Sequence, residues 1–203
     1  MHIRELGVGD AYVISPSVIR DSRGEFLESF RSDLLNEAVG HRFVPRQANT
    51  SVSGRGVIRG IHFADVPPGQ AKYITASHGV VLDFVVDVRV GSPTFGAWDA
   101  VQLDTVDRRA VYVAEGIGHA FLALTEAATV NYLVSEPFAP NRERGIDPLD
   151  PEIGLIFPRE IGPVTLSDKD AAAPSLSEAR GSGLLPSFSD CRALYRSLAL
   201  VGD

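Results

Sequence analysis

Residues 47–72 hold an unusual number of side chains that could do acid–base chemistry or bind an anion. They are an amide pair and three groups that can carry positive charge: Gln47, Asn49, Arg59, His62 and Lys72. Within the run VIRGIHF, Gly60 interrupts the strand alternation, so we expect a bulge or a close backbone approach that turns Arg59 and His62 toward one side. One interpretation is an anion site with a proton-transfer group beside it. The other is a solvated strand edge, which also carries charged residues.

Composition sets the class of protein in which such a site would lie. The chain has 203 residues, 44% hydrophobic and 22% charged, which is typical of one globular domain. Its formal net charge of −7 argues against a nucleic-acid partner, because nucleic-acid binding needs a basic face. A small anion held by a local group of arginines and lysines remains compatible with this charge.

We predict a cytoplasmic protein with no membrane partner. Apolar runs such as GVVLDFVV are too short and too interrupted to span a bilayer. The N-terminal MHIRELGVGD lacks the apolar core of a signal peptide. Cys191 is the single cysteine of the sequence, so no internal disulfide can form, which fits a reducing cytosol.

Short β-strands are predicted to dominate the chain, because segments rich in Val, Ile, Phe, Tyr and Thr alternate with Gly, Pro, Asp and Ser. The predicted strands are 11–19, 25–30, 43–52, 56–63, 71–77, 79–90, 98–103, 109–114, 119–123 and 128–135. Helices are predicted near 30–40 and in a C-terminal tail of about 188–203, where Ser189 or Asp190 can cap the start. Residues 136–188 are predicted to be an ordered loop region with one or two helical turns. Many short strands without intervening helices favour a mainly β sandwich or jelly roll.

Further fragments occur in a fixed order along the chain. They are DSRGEFLESF (21–30), DVRVGSPTFGAW (87–98), GIGHAFLAL (116–124), NYLVSEPFAP (131–140), RERGIDPLDPEIG (142–154) and LSDKD (166–170). With QANTSVSGRGVIRGIH and PPGQAK, they resemble the dTDP-4-dehydrorhamnose 3,5-epimerase family over roughly residues 10–187. PPGQAK and GSPTFGAW are closer to members of antibiotic deoxysugar pathways. The resemblance implies a single cupin-type jelly-roll domain over residues 1–203, with short helices and a C-terminal helix.

The resemblance also implies an activity, the inversion of C3 and/or C5 of a dTDP-4-keto-6-deoxyhexose without metal or cofactor. Removing a proton beside a ketone needs a base, stabilisation of the enolate oxygen, and an acid on the opposite face. By position in the motifs, His62 matches the base, and Asp170 of SDKD matches the carboxylate that orients its imidazole. Lys72 matches the cation beside the enolate oxygen, and Tyr132 matches the acid. Asp168 is a rival for Asp170 within the same motif.

Nucleotide-binding positions follow from the resemblance in the same way. Arg59 and Arg23 match pyrophosphate-binding arginines, whose forked guanidinium suits phosphate oxygens. Four residues match positions near the nucleotide and the sugar: Phe26, Glu28, Gln47 and Asn49. In the family, the segment that carries Arg23 reaches into the partner's site, so the resemblance implies a homodimer. His119 is expected either to pair with Asp83 or to contact the sugar.

One departure from the family and two alternative functions remain. Phe138 stands where many members carry a second tyrosine, so a hydroxyl role is lost there and the choice between C3 and C5 is open. One alternative is a metal-dependent cupin enzyme, although the sequence has no HxH pair, and Lys72 and Arg59 would oppose a cation. The other is a non-catalytic cupin protein that binds a sugar nucleotide, against which the matched catalytic residues argue.

Overall fold

The structure of the protein is a computed structural model, and it describes residues 1–199 of the chain. The strands are β1 (His2–Glu5), β2 (Ala11–Ser15), β3 (Val18–Asp21), β4 (Gly24–Leu27), β5 (Gln47–Ser53), β6 (Ile58–Ala64), β7 (Lys72–His78), β8 (Val80–Val86), β9 (Trp98–Asp104), β10 (Ala110–Val113), β11 (Gly118–Ala123), β12 (Ala128–Val134) and β13 (Glu143–Gly145). The helices are α1 (Ser32–Val39), a 3-10 turn (Arg159–Ile161), α2 (Asp168–Ala171), α3 (Leu176–Gly181) and α4 (Phe188–Ser197).

The strands form two antiparallel sheets and one separate hairpin. The larger sheet has the order β1-β2-β10-β7-β12-β5, and the smaller has the order β13-β6-β11-β8-β9. β3 and β4 pair only with each other. The predicted mainly β jelly-roll sandwich is confirmed by this arrangement.

Two apolar layers hold the sheets. In the first layer, Ile74 of the larger sheet and Val85 of the smaller sheet belong to one buried cluster between the sheets. In the second layer, Phe84 of β8 packs on the other face of the smaller sheet, together with Ile153 and Leu176. Because β8 contributes to both layers, both of its faces are buried, and the C-terminal part of the chain covers the smaller sheet.

Several predicted elements have different bounds in the structure. The strand predicted over 11–19 ends at Ser15, because Pro16 cannot donate a hydrogen bond to the ladder. The following residues form the β3–β4 hairpin instead. β1 was not predicted, since HIRE has no apolar alternation. The region 136–188 contains β13, α2 and α3, whose order comes from packing on the smaller sheet.

The C-terminal tail also differs from the prediction. Its helix covers Phe188–Ser197, and the N-cap position is Ser187, whose side chain makes no capping hydrogen bond. Neither Ser189 nor Asp190 is the N-cap, because the helix begins at Phe188, before both of them. At this point the backbone N–H of Phe188 donates a hydrogen bond to the backbone oxygen of Val90. The last part of the predicted tail, residues 200–203, lies outside the described residues.

β6 carries a bulge at Gly60, as the sequence predicts. His62 pairs with His119 of β11, and the register then shifts by one residue before Arg59. Gly60 has φ 125°, and a Cβ there would lie 2.5 Å from the Cβ of Ala120. Because the bulge breaks the alternation, Arg59 and His62 line the same cleft despite their odd spacing.

We expect Gly60→Ala to destabilise the fold by about 2 kcal/mol or more, since it combines a strained φ with a clash against β11. Urea unfolding measures the change. Gly183→Ala is the matched control, because Gly183 also has a positive φ, 70°, but no heavy atom lies within 4 Å of its Cβ position. An equal loss of stability in the two variants would show that the close approach at Gly60 contributes nothing.

Candidate active site

A polar cleft lies between the two sheets, and four strands supply its central side chains. His62 of β6 and His119 of β11 come from the smaller sheet, and Lys72 of β7 and Tyr132 of β12 come from the larger. Two adjoining cavities of about 210 and 240 Å³ share His62, Lys72 and Tyr132. The fold thus brings together the residues that the motifs matched to base, cation and acid.

His62 forms the shortest polar contact in the cleft. Its Nε2 lies 2.6 Å from Oδ1 of Asp170, the third residue of α2. Burial alone would raise the pKa of Asp170, but hydrogen bonds from His62, Ser167 and the backbone of Gly60 lower it overall. Asp170 is therefore an ionised acceptor, and Nε2 donates to it. Asp168 is exposed and does not reach the imidazole.

Lys72 is buried, with only 6% of its surface exposed. Burial lowers the pKa of its amine, and the carboxylates of Glu143 and Glu115 act against that shift. The two acids differ in position, since Glu143 lines the cleft whereas Glu115 is buried outside it. In its protonated form, Lys72 presents a positive charge to an anion or oxyanion in the cleft.

His119 has its own carboxylate partner. Its Nε2 lies 2.7 Å from Oδ2 of Asp83, and both side chains are buried. Desolvation raises the pKa of Asp83, and the charge and hydrogen bond of His119 oppose the rise. His119 therefore pairs with Asp83, one of the two roles expected from the sequence, and it also lines the cleft.

Tyr132 is a half-buried phenol on β12. Burial raises the pKa of Tyr132, with Arg59 lowering it and Glu143 raising it further. The phenol therefore stays protonated at neutral pH, and it can donate a proton or a hydrogen bond inside the cleft.

Amide and guanidinium groups line the rest of the cleft. Gln47 Nε2 donates to Asn49 Oδ1 at 2.7 Å, and Gln47 Oε1 accepts from the backbone N–H of Phe138 at 3.0 Å. Arg59 Nε donates to Ser53 Oγ at 3.0 Å, so the remaining guanidinium nitrogens can serve a ligand. Gln47, Asn49 and Arg59 therefore line the same cleft as His62.

The hairpin residues lie apart from this cleft in the single chain. Arg23 and Phe26 line a separate surface hollow, and Phe26 is 65% exposed. Arg23 is ion-paired only locally, with Asp21, and Glu28 is paired with Arg31. The described chain does not bring Arg23, Phe26 or Glu28 to its own His62.

Several cleft residues were not predicted. Ser167 and Lys169 belong to the same SDKD segment as Asp170, and this proximity was the available signal. Glu143 was inside a matched fragment, but only its pairing through β13 with β6 places it beside the cleft. Residues 1–199 contain no group of three or more His, Cys, Asp or Glu side chains that could hold a metal ion. No helix within this range is long and apolar enough to span a membrane.

Comparisons with known proteins decide the family. Residues 5–178 match the family described as dTDP-4-dehydrorhamnose 3,5-epimerase. The chain belongs to this family. It is similar to the dTDP-4-dehydrorhamnose 3,5-epimerase of Mycolicibacterium smegmatis, with 54% identity covering 98% of this chain and 97% of that protein. It is also similar to a dTDP-4-dehydrorhamnose 3-epimerase of Streptomyces niveus, with 50% identity over 96% and 93% of the two chains.

Solved epimerase structures share the fold. The rmlC epimerase of Mycobacterium tuberculosis superposes with a TM-score of 0.95 at 47% identity, covering 98% of this chain and 100% of that chain. A 3'-monoepimerase from Streptomyces bikiniensis, solved with dTDP-quinovose, gives a TM-score of 0.91 at 44% identity over 95% and 97% of the chains. The family resemblance and the jelly-roll fold predicted from the sequence are both confirmed.

Replacing Asp170 by Asn should cut deuterium exchange from solvent into a dTDP-4-keto-6-deoxyhexose by about 10²-fold or more, because the amide cannot hold the imidazole in one tautomer or stabilise its charge. Asp168→Asn is the control, since Asp168 is exposed in the same helix. Exchange rates by NMR distinguish the two variants. A larger loss in Asp168→Asn than in Asp170→Asn would reassign the partner of His62.

Proposed function

We propose that this dTDP-sugar epimerase inverts C3, C5 or both of a dTDP-4-keto-6-deoxyhexose through an enolate, with His62 as the base and Tyr132 as the acid. The observation that carries the proposal is the hydrogen bond between His62 and Asp170 in a cleft that also holds Lys72 and Tyr132. The C4 ketone of the substrate acidifies both neighbouring carbons, so the proposed reaction needs no metal or cofactor.

The base is assigned to one atom of His62. Because Nε2 donates to the ionised Asp170, Nδ1 carries the lone pair and takes the proton from carbon. Asp170 then stabilises the imidazolium that forms, as a carboxylate does in hydrolase triads. The C–H electron pair moves into the enolate, and its negative charge collects on the C4 oxygen.

Two other side chains complete the proposed reaction. The Lys72 ammonium stabilises the enolate oxygen, because opposite charges attract strongly in a buried site. Tyr132 donates its phenolic proton to the opposite face of the carbon, which inverts the configuration. The raised pKa of Tyr132 supports this role, since it keeps the proton in place until the enolate forms.

We also propose a homodimer in which the β3–β4 hairpin of one protomer completes the nucleotide site of its partner. Two apolar side chains of the hairpin, Ile19 and Phe26, are 62% and 65% exposed, which is costly for a surface that contacts only water. Arg23 is also exposed and carries a guanidinium suited to a pyrophosphate. We place the reaction in the cytoplasm, a location supported by the free and buried Cys191.

Deuterium exchange separates the base from the acid. We expect His62→Asn to lose both exchange and inversion by about 10²- to 10⁴-fold, the usual contribution of a general base. Tyr132→Phe should still exchange deuterium with retention of configuration, yet form little inverted product. NMR of dTDP-4-keto-6-deoxyglucose in deuterated water follows both events, and the same spectra report whether C3, C5 or both exchange.

Binding of dTDP is the control for these variants and should stay near the wild-type affinity. Wild-type exchange in His62→Asn would remove His62 as the base. Binding of the nucleotide sugar without any exchange in the wild-type protein would instead support the non-catalytic alternative.

Mixed dimers test the contribution of the hairpin. We expect His62→Ala and Arg23→Ala to impair activity separately, and their heterodimer to recover one working site, because one cleft then receives intact His62 and intact Arg23 from different chains. Co-expression with two affinity tags isolates the heterodimer for assay. The control is the heterodimer of His62→Ala with Asp170→Ala. Because His62 and Asp170 of one chain belong to the same cleft, each cleft of this heterodimer carries one of the two substitutions and no activity should be recovered. No recovery, or a monomer in sedimentation at micromolar concentration, would contradict the exchange of the hairpin.

A further inference from the structure

Glu115 is a buried acid that the proposed reaction does not use. It is 3% exposed and lies outside the set of residues that line the cleft. Oε1 accepts a hydrogen bond from Ser135 Oγ at 3.2 Å. Oε2 is buried without a hydrogen-bond partner among residues 1–199. A carboxyl group in this condition is costly, so its position calls for a compensating role.

Strand pairing brings Glu115 near Lys72. β7 lies between β10 and β12, with Lys72 opposite Val113 on one side and Val134 on the other. Glu115 is two residues beyond the first of these partners, and Ser135 follows the second. The residues that follow β10 and β12 therefore bring an acid, Glu115, and its hydrogen-bond donor, Ser135, close to the start of β7, where Lys72 lies.

The surroundings hold this acid rigidly. Ser135 Oγ also accepts from the N–H of Ala71, the residue before Lys72. A Cβ at Gly69 would lie 2.5 Å from the Glu115 Cβ, so the turn before β7 packs closely on the acid. The hydroxyl of Tyr195 on α4 donates to the backbone oxygen of Glu115. Three separate parts of the chain thus fix Glu115 relative to the lysine.

We propose that Glu115 is a positioning residue for the epimerisation, whose carboxylate keeps the Lys72 amine protonated and directed into the cleft. The inference rests on the proposed role of Lys72 as the cation beside the enolate oxygen. Glu143 also favours the charged lysine, but it lines the cleft, where it faces the substrate. Glu115 lines neither cavity of the cleft, so it supplies negative charge without facing the substrate.

The charge of Glu115 changes in the neutral range, because burial raises its pKa to about 7. Lys72 acts to lower this pKa and Glu136 acts to raise it. Three further groups lie near enough to sense Glu115, and burial raises the pKa of each, so they stay neutral: Tyr112, Cys191 and Tyr195. Below about pH 7 the acid is neutral and Lys72 lacks this counter-ion, whereas above it the carboxylate is present.

Glu115→Gln tests the inference through a pH profile. The amide resembles the neutral acid, so we expect kcat within about twofold of wild type at about pH 5.5 and about tenfold lower at about pH 8.5. The affinity for dTDP should not change, because Glu115 does not line the cleft.

Stability separates positioning from a structural role. Since the folded-state pKa of Glu115 is raised, the native state binds more protons than the unfolded state between the ordinary value of 4.5 and about 7, and ionisation of the acid costs stability as pH rises. Glu115→Gln should therefore melt no lower than wild type at about pH 8.5.

Asp150→Asn is the control, because Asp150 is a buried carboxylate bonded to the backbone of Leu176 and Glu152, away from the cleft. It should lower the melting temperature and leave the pH profile of kcat unchanged.

Ser135→Ala gives a second reading that does not depend on the amide. It removes the hydrogen bond that favours the carboxylate, so the rise of kcat with pH should move to higher pH. The inference is overturned if the ratio of kcat in Glu115→Gln to kcat in wild type is the same at both pH values. It is also overturned if kcat falls in proportion to the melting temperature. Wild-type protein that exchanges no deuterium overturns the proposed function, and the role of Glu115 with it.

Discussion

Ionisable side chains held between two apolar sheets must find partners within the protein, because water no longer stabilises their charge. The cleft meets this condition with partners that are distant in the chain. His62 pairs with Asp170, 108 positions away, and His119 pairs with Asp83, 36 positions away. The charged form of Lys72 is favoured by Glu143 and Glu115, which lie outside β7. Both pairs lie on the side of the smaller sheet, since His119 and Asp83 belong to its strands β11 and β8 and Asp170 belongs to α2. Lys72 and Tyr132 join them only where the larger sheet packs against the smaller one.

The second apolar layer links stability to the reaction. The C-terminal part of the chain covers the outer face of the smaller sheet, and α2 within it presents Asp170 to the cleft. The bulge at Gly60 connects the two, since the backbone of Gly60 helps to lower the pKa of Asp170 and the bulge places His62 in the cleft with Arg59. The layer that stabilises the smaller sheet therefore also holds the carboxylate that pairs with His62.

Strand alternation and the order of the motifs were enough to predict the β sandwich, the bulge and the proximity of His62, Lys72 and Tyr132. The elements that were missed, β1 and β13, are short and polar, and they exist because neighbouring strands offer free backbone groups. Glu115 was missed for a related reason. A single acid between a short strand and a glycine has no periodicity, and only the pairing of β7 with β10 shows that it lies near Lys72.

The surroundings of Tyr132 and of Asp170 shift each pKa in the direction that the proposed role requires. Burial raises the pKa of Tyr132, which retains the proton to be donated, while hydrogen bonds keep Asp170 ionised beside the imidazole. Environments that separate the pKa values of neighbouring groups are what distinguish the acid from the base. Burial opposes the charge of Lys72, so here a counter-ion is needed. Glu143 lines the cleft, where its carboxylate also repels the enolate that forms, whereas Glu115 lies outside the cleft lining and stabilises the ammonium without a place beside the developing charge.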